Sequence, residues 1–211
     1  MMRLYSKMRW LIFMALLGVL EALHCNKEFN YYDNYGNGFD ITCQGLTREH
    51  IHLLANITIT NEISLTIENA TLTNISSAIF QNVHDLRFLR LENSTITFSK
   101  MKPIFDVLRL NRLKELILNN NKLEEFEPGS FQNVPNLSYL EVTRNRIHDM
   151  KTLPLCELQN LKGLNLSRNL ITDLNQTHFY CRESDKTVDF NLNDDNYILD
   201  YIRHFLQTFD S

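Results

Sequence analysis

Residues 113–123, Leu-Lys-Glu-Leu-Ile-Leu-Asn-Asn-Asn-Lys-Leu, set Leu113, Leu116, Leu118 and Leu123 around Asn121. The spacing L-x-x-L-x-L-x-x-N-x-L recurs downstream at Leu137, Leu140, Val142, Asn145 and Ile147, and again at Leu161, Leu164, Leu166, Asn169 and Ile171. Upstream it continues through Leu86, Leu89, Leu91, Ser94 and Ile96, then through Leu65, Ile67, Ala70 and Leu72. The units begin at Glu62, Leu86, Leu113, Leu137 and Leu161, with periods of 24, 27, 24 and 24 residues. A weaker sixth begins near Thr187, with Phe190 and Leu192 as its strand pair. A fixed period of this length marks a unit that buries its apolar face only by stacking on its neighbours, and five copies exceed the three or so that such an array needs.

The spacing is the signature of a leucine-rich repeat. It predicts an α/β solenoid: a leucine-rich repeat horseshoe with a parallel β-sheet on the concave face, an N-terminal cap and a short C-terminal capping helix. The chain divides into a signal peptide (1–24), the cap (25–61), five repeats (62–186), and a degenerate sixth repeat with the capping helix (187–211). Leucines such as Leu116 and Leu118 point into the core, and the residues between them point to the concave side. Asn121, Asn145 and Asn169 form a ladder that satisfies backbone groups where each strand turns away. Ser94 and Ala70 stand in that column upstream, so the N-terminal repeats are expected to be less regular. Phe80, Val107, Phe131, Leu155 and Cys181, each six residues before a repeat start, form a spine on the returning side.

The first segment reads as targeting. Arg3, Lys7 and Arg9 precede the apolar run 10–20, which has signal-peptide length and is too short for a membrane span, so cleavage is expected between Ala22 and Cys25. An uncleaved anchor is the competing reading. Removal of Arg3, Lys7, Arg9 and Glu21 takes 21 cations and 25 anions to 18 and 24, a net charge of −6 against −4 for the whole chain. No basic stripe for a nucleic acid remains, so none is expected as a partner. No later apolar segment has spanning length, and the tail shows no lipid-anchor pattern.

In an oxidising compartment the four cysteines read as disulfides. Of three pairings, repeat geometry favours Cys156 with Cys181, which stand five and six residues before successive repeat starts and so on adjacent coils, leaving Cys25 with Cys43. Nothing beside them favours a reactive thiol. Seven sequons, at Asn56, Asn69, Asn74, Asn93, Asn136, Asn165 and Asn175, fit the same compartment as N-glycosylation sites. Asn165 is expected on the concave face, and Asn74, Asn136 and Asn175 toward the edges or the convex side.

In the cap, residues 26–40 are rich in tyrosine, asparagine and glycine and read as a polar turn region, with a first strand at Phe39, Ile41 and Cys43. Tyr31, Tyr32 and Tyr35 beside Asp33 are candidates for sulfation, against the plainer reading of a flexible polar terminus. After Asn196, residues Ile198, Leu199, Ile202, Phe205, Leu206 and Phe209 recur at helical spacing. That amphipathic helix closes the core or serves as a homodimer surface.

With repeats and cap in view, the chain resembles extracellular leucine-rich repeat proteins, most closely Toll-receptor-type ectodomains and secreted insect leucine-rich immune proteins, over about residues 62–192. The resemblance implies an extracellular protein ligand and no cofactor. Family members usually carry several cysteines in a flank at each end, and the C-terminal flank has no counterpart here. The expected function is that of a secreted, non-enzymatic recognition module with a place in innate immunity. The alternatives are a structural or adhesive extracellular component acting by self-association, or a truncated Toll-like ectodomain. Fold and function are separate matters in such proteins, because the binding residues stand between the leucines.

The expected ligand-binding residues are Phe88, Arg90, Glu115, Ile117, Tyr139 and Glu141. Within them Phe88, Ile117 and Tyr139 make an apolar and aromatic diagonal. The competing reading is of isolated exposed apolar side chains, which are normal on any surface. The outer rows are Ser64, Thr66 and Glu68 on one side and Gly163, Asn165 and Ser167 on the other. No catalytic or metal residues are expected. His50 and His52 beside Glu49 do not make a zinc motif, and no phosphate loop, nucleophile elbow or paired-carboxylate motif is present.

Overall fold

The structure, a computed structural model, describes residues 23–32, 36–50, 62–75, 86–98, 110–126, 129–149, 157–172 and 189–191. Its main sheet runs β1 (Cys25–Tyr32), β2 (Gly36–Gln44), β3 (Glu62–Glu68), β5 (Phe88–Glu92), β7 (Glu115–Ile117), β8 (Tyr139–Glu141), β9 (Gly163–Asn165) and β10 (Asp189–Asn191). Strands β4 (Thr71–Ile75) and β6 (Thr95–Phe98) form a second, two-stranded sheet. From β2 onward every pairing is parallel and each coil adds one strand, as a repeat solenoid requires.

The register follows the leucine spacing. Leu65, Leu89, Leu116, Leu140 and Leu164 stand opposite one another in turn, and Phe190 follows Leu164 in the same column. The 27-residue second period leaves this register intact, with Leu89 opposite Leu116. Side chains alternate as a pleated strand dictates: in β5, Leu89 and Leu91 are buried while Phe88, Arg90 and Glu92 face outward. The core is continuous from Leu23 and Ile41 through Leu116, Val142 and Ile171.

Each coil leaves the sheet through a residue in the left-handed region: Asn69, Asn93, Asn120, Arg144 and Arg168, with φ between 51° and 60°. Asparagine tolerates that region better than most residues, whereas arginine is strained there. The ladder just beyond this turn joins neighbouring coils. Asn145 Oδ1 accepts the Asn121 and Leu123 amides at 2.9 and 3.0 Å, and its Nδ2 donates to Leu118 O at 2.7 Å. Asn121 and Asn169 repeat the arrangement toward Ser94 and Leu91, and toward Ile147 and Val142.

The N-terminal coils differ from the expected loss of regularity. Ser94 keeps its place in the ladder, accepting the Ala70 amide at 3.0 Å and donating to Glu92 O at 2.7 Å. Beyond it, residues 71–75 and 95–98 extend as β4 and β6, and Thr47 bridges to Thr71. The physical reason is the β-branched run Thr71, Thr73, Thr95, Ile96 and Thr97, which favours a pleated surface. These coils have strand on two sides instead of one.

The cap also differs. Residues 26–32, read as part of a polar turn region, form with Cys25 a strand antiparallel to β2, and the disulfide Cys25–Cys43 staples the pair. Alternation explains it: Cys25, Lys27, Phe29 and Tyr31 fall on one face, and Asn26, Glu28 and Asn30 on the other. Leu23, placed in the signal segment by its sequence, is fully buried in the core. A chain starting at Leu23 therefore keeps a core residue that one starting at Cys25 lacks. On the returning side Phe131 is fully buried with its ring 5.2 Å from that of Phe126. Glu157 reaches back one coil and accepts the amides of Gly129 and Phe131. Residues 1–22 of the signal segment, Cys156, Cys181, Phe80, Val107, Leu155, Asn56, Asn175, Tyr35, His52 and the C-terminal helix lie outside the described residues.

Candidate functional site

The concave face is built from three registered columns. The first runs Ser64, Phe88, Glu115, Tyr139 and Gly163, and the second Thr66, Arg90, Ile117, Glu141 and Asn165. The third begins with Glu68 opposite Glu92 and continues with Asn119, Thr143 and Ser167. Successive residues in a column stand about 5 Å apart, so neighbouring side chains touch. All six expected binding residues are thus brought onto one face. Ile117 has only 8% of its surface exposed, being shorter than the Arg90 and Glu141 side chains on its two sides.

The C-terminal part of this face is closed by its own contacts. The Tyr139 ring lies across Gly163, where an added Cβ would sit 2.6 Å from its Cδ2, so only glycine leaves room. The Tyr139 hydroxyl donates to Glu141 Oε2 at 3.0 Å, Asn119 Nδ2 donates to Glu141 Oε1 at 2.7 Å, and Asn119 Oδ1 accepts the Thr143 amide at 2.9 Å. Burial raises the Tyr139 pKa above 10, as do the bond to Glu141 and the charges of Glu141 and Glu115, while a bond with Asn165 works against them. Sequence reasoning missed this network. Its signal was a glycine in an outward column one period from a tyrosine.

The N-terminal part is more open and more acidic. Phe88 is half-buried, and Arg90 is exposed with Glu68, Glu92 and Glu115 in adjoining positions, and Glu141 one strand further on beyond Ile117. Burial raises the Glu92 pKa, Arg90 lowers it, and the charges of Glu68 and Glu141 raise it further. Gln44 donates to Glu68 at 3.3 Å and continues the face onto the cap.

Among the sequons, Asn69 and Asn93 are exposed at the left-handed turn on the sheet edge, and Asn93 Oδ1 accepts Asn120 Nδ2 at 2.9 Å. Asn136 is exposed and donates to Asn111 O at 2.7 Å. Asn74 falls in β4. Asn165 lies on the concave face as expected, half-buried, with Oδ1 accepting the Ser167 hydroxyl at 2.7 Å. His50 Nδ1 faces the amide and hydroxyl of Thr47 at 3.0 and 3.2 Å, closing a local turn. Among the described residues no three His, Cys, Asp or Glu side chains converge to hold a metal, and no helix is long and apolar enough to cross a membrane.

A family model described as leucine-rich repeat matches residues 94–191. Human lumican is 29% identical over 131 residues, covering 52% of this chain and 38% of lumican. Human leucine-rich repeats and immunoglobulin-like domains protein 3 is 34% identical over 90 residues, covering 42% of this chain and 8% of that protein. The chain therefore spans well under half the length of these relatives. A crystal structure of TLR13 in complex with ssRNA13 superposes with a TM-score of 0.54 at 21% identity, over 71% of this chain and 20% of that one. Its likeness is one of fold. With registered coils, an asparagine ladder and a leucine-rich repeat model matched over residues 94–191, the chain folds as a leucine-rich repeat solenoid, similar in fold to the TLR13 structure.

Proposed function

We propose that this chain is a secreted, non-enzymatic recognition protein that binds an extracellular protein ligand on its concave face, in the innate-immune role that its resemblance to Toll-type ectodomains suggests. The observation that carries the reading is the pair of registered columns Phe88–Glu115–Tyr139 and Arg90–Ile117–Glu141, a rigid surface with an aromatic and an arginine at its open end. Aromatic and arginine side chains dominate interface energetics, and a scaffold already held by hydrogen bonds loses little freedom on binding. The Cys25–Cys43 disulfide supports an oxidising compartment. Because Glu68, Glu92 and Glu115 flank Arg90 and Glu141 follows across Ile117, the ligand surface that fits is basic with an apolar centre.

The test is capture of the partner from extracellular fluid by the purified chain, followed by titration of that partner against Phe88→Ala and Arg90→Ala. Each substitution is expected to weaken binding by about 1–2 kcal/mol, a fivefold to thirtyfold rise in Kd, with circular dichroism unchanged. Equal affinity for both variants and the parent chain would move the binding site off this face.

A further inference from the structure

Strand β1 is the outermost strand of the sheet and pairs with β2 along one edge. The ladder fixes where its other edge points. Cys25 and Cys43 face each other at a Cα separation of 4.1 Å, the short spacing of a non-hydrogen-bonded antiparallel pair. In the adjacent pair the Gln44 amide donates to His24 O. Alternation along the register from Cys25↔Cys43 to Tyr32↔Gly36 turns the even-numbered residues of β1 toward β2, and the N–H and C=O of Phe29 and Tyr31 outward.

The same two residues have side chains 62% and 69% exposed. They lie on the face that carries buried Ile41 and Cys43, but past the end of the core, where Phe29 meets Phe39 edge-on at 5.3 Å. Outward backbone groups combined with unburied aromatics make an edge that templates another strand.

We propose that β1 pairs antiparallel with β1 of a second copy about a dyad at Asn30, joining the two sheets into one. A dyad normal to the sheet keeps each face on its own side, so only residues of like parity oppose each other. Dyads at Lys27 or Glu28 set like charges directly opposite, which is destabilising. A dyad at Phe29 sets Phe29 against itself and Tyr31 against Lys27. A dyad at Asn30 sets Phe29 against Tyr31 on both sides, with reciprocal backbone hydrogen bonds in each pair, and leaves only the neutral Asn30 against itself. Aromatic cross-strand pairs are among the favourable ones. The near-palindrome Phe29-Asn30-Tyr31 is what selects a second copy over an unrelated strand.

The purified full chain is measured by size-exclusion chromatography with light scattering, and a concentration-dependent doubling of mass is expected. Phe29→Pro removes an outward N–H and no β1–β2 bond, so it is expected to give a monomer that keeps its circular dichroism spectrum. Asn30 at the dyad forms a non-hydrogen-bonded pair with a Cα separation of about 4.5 Å, within disulfide reach. Asn30→Cys is therefore expected to run as a covalent dimer on a non-reducing gel. A parent chain that is monomeric at about 100 μM overturns the proposal. So does a dimer that survives Phe29→Pro, which would place the contact elsewhere. Absence of the Asn30→Cys cross-link overturns it whatever the proline variant does, including a failure of that variant to fold.

Discussion

Replacing Asn145 by alanine tests whether the ladder, as well as the leucines, holds the coils together. The side chain is 6% exposed and makes four hydrogen bonds: it accepts from the Asn121 and Leu123 amides and donates to the carbonyls of Leu118 and Thr143. Alanine fills less space and bonds to none of them. A buried donor left unsatisfied costs about 1–3 kcal/mol, and the two amides lose their acceptor together, whereas each carbonyl has a second lone pair. The expected loss is about 2–5 kcal/mol, a large fraction of the 5–15 kcal/mol that holds a typical domain folded. Ser94→Ala removes one accepted and one donated bond and is expected to cost about half as much. Urea unfolding read by circular dichroism gives the magnitudes, and hydrogen exchange at Asn121 and Leu123 locates the damage. A loss below about 1 kcal/mol for Asn145→Ala, or one no larger than for Ser94→Ala, would refute the view that the ladder bears this share of the coil interface.

Gly163→Ala places a methyl group where the Tyr139 ring lies, so the ring must swing away from β9 and its bond to Glu141 must break or shift. A cost of about 1–3 kcal/mol and a change in the tyrosine near-ultraviolet signal are expected, and a signal identical to that of the parent chain would contradict the packing. At Glu92 the folded-state pKa is raised, so its contribution to stability is present below the unfolded pKa and is lost as pH rises through the folded value. Glu92→Gln is therefore expected to raise Tm relative to the parent chain near pH 7, with a gap that closes toward pH 3.5. A gap that is constant with pH would show that the carboxylate charge is not the cause.

The leucine columns, the order of the coils and the outward placement of Phe88, Arg90, Glu115, Ile117, Tyr139 and Glu141 were legible because each is a period written into the chain. A spacing of two within a strand and of about 24 between strands leaves little freedom once five copies agree. What escaped was written across coils or against composition. Tyr139 over Gly163 is a contact between residues 24 apart in sequence and neighbours in register, and neither residue signals it alone. Glu157 resembles any surface acid until the turn at Gly129, where φ is +88°, brings two amides to its carboxylate. In β1 the alternation was present, but Asn26, Asn30 and the glycines that follow resemble a turn, and pairing with β2 overrides that local preference.

The solenoid separates what holds it from what it offers. Leucines face inward and the ladder asparagines bind backbone between coils, so neither requires a particular residue at the outward positions of β5, β7, β8 or β9. Freedom there is limited only where outward side chains contact one another, as Tyr139, Gly163, Glu141 and Asn119 do. A substitution within that network alters stability and surface together, whereas one at Arg90 breaks no hydrogen bond of that network. The two kinds of effect are thus separable by position, and affinity losses at Phe88 and Arg90 without loss of Tm are what a recognition surface on this scaffold must show. Coincident losses of both would instead mean that the open end of the face is structural. The concave columns would then stabilise the sheet, leaving the β1 edge as the remaining candidate contact among the described residues.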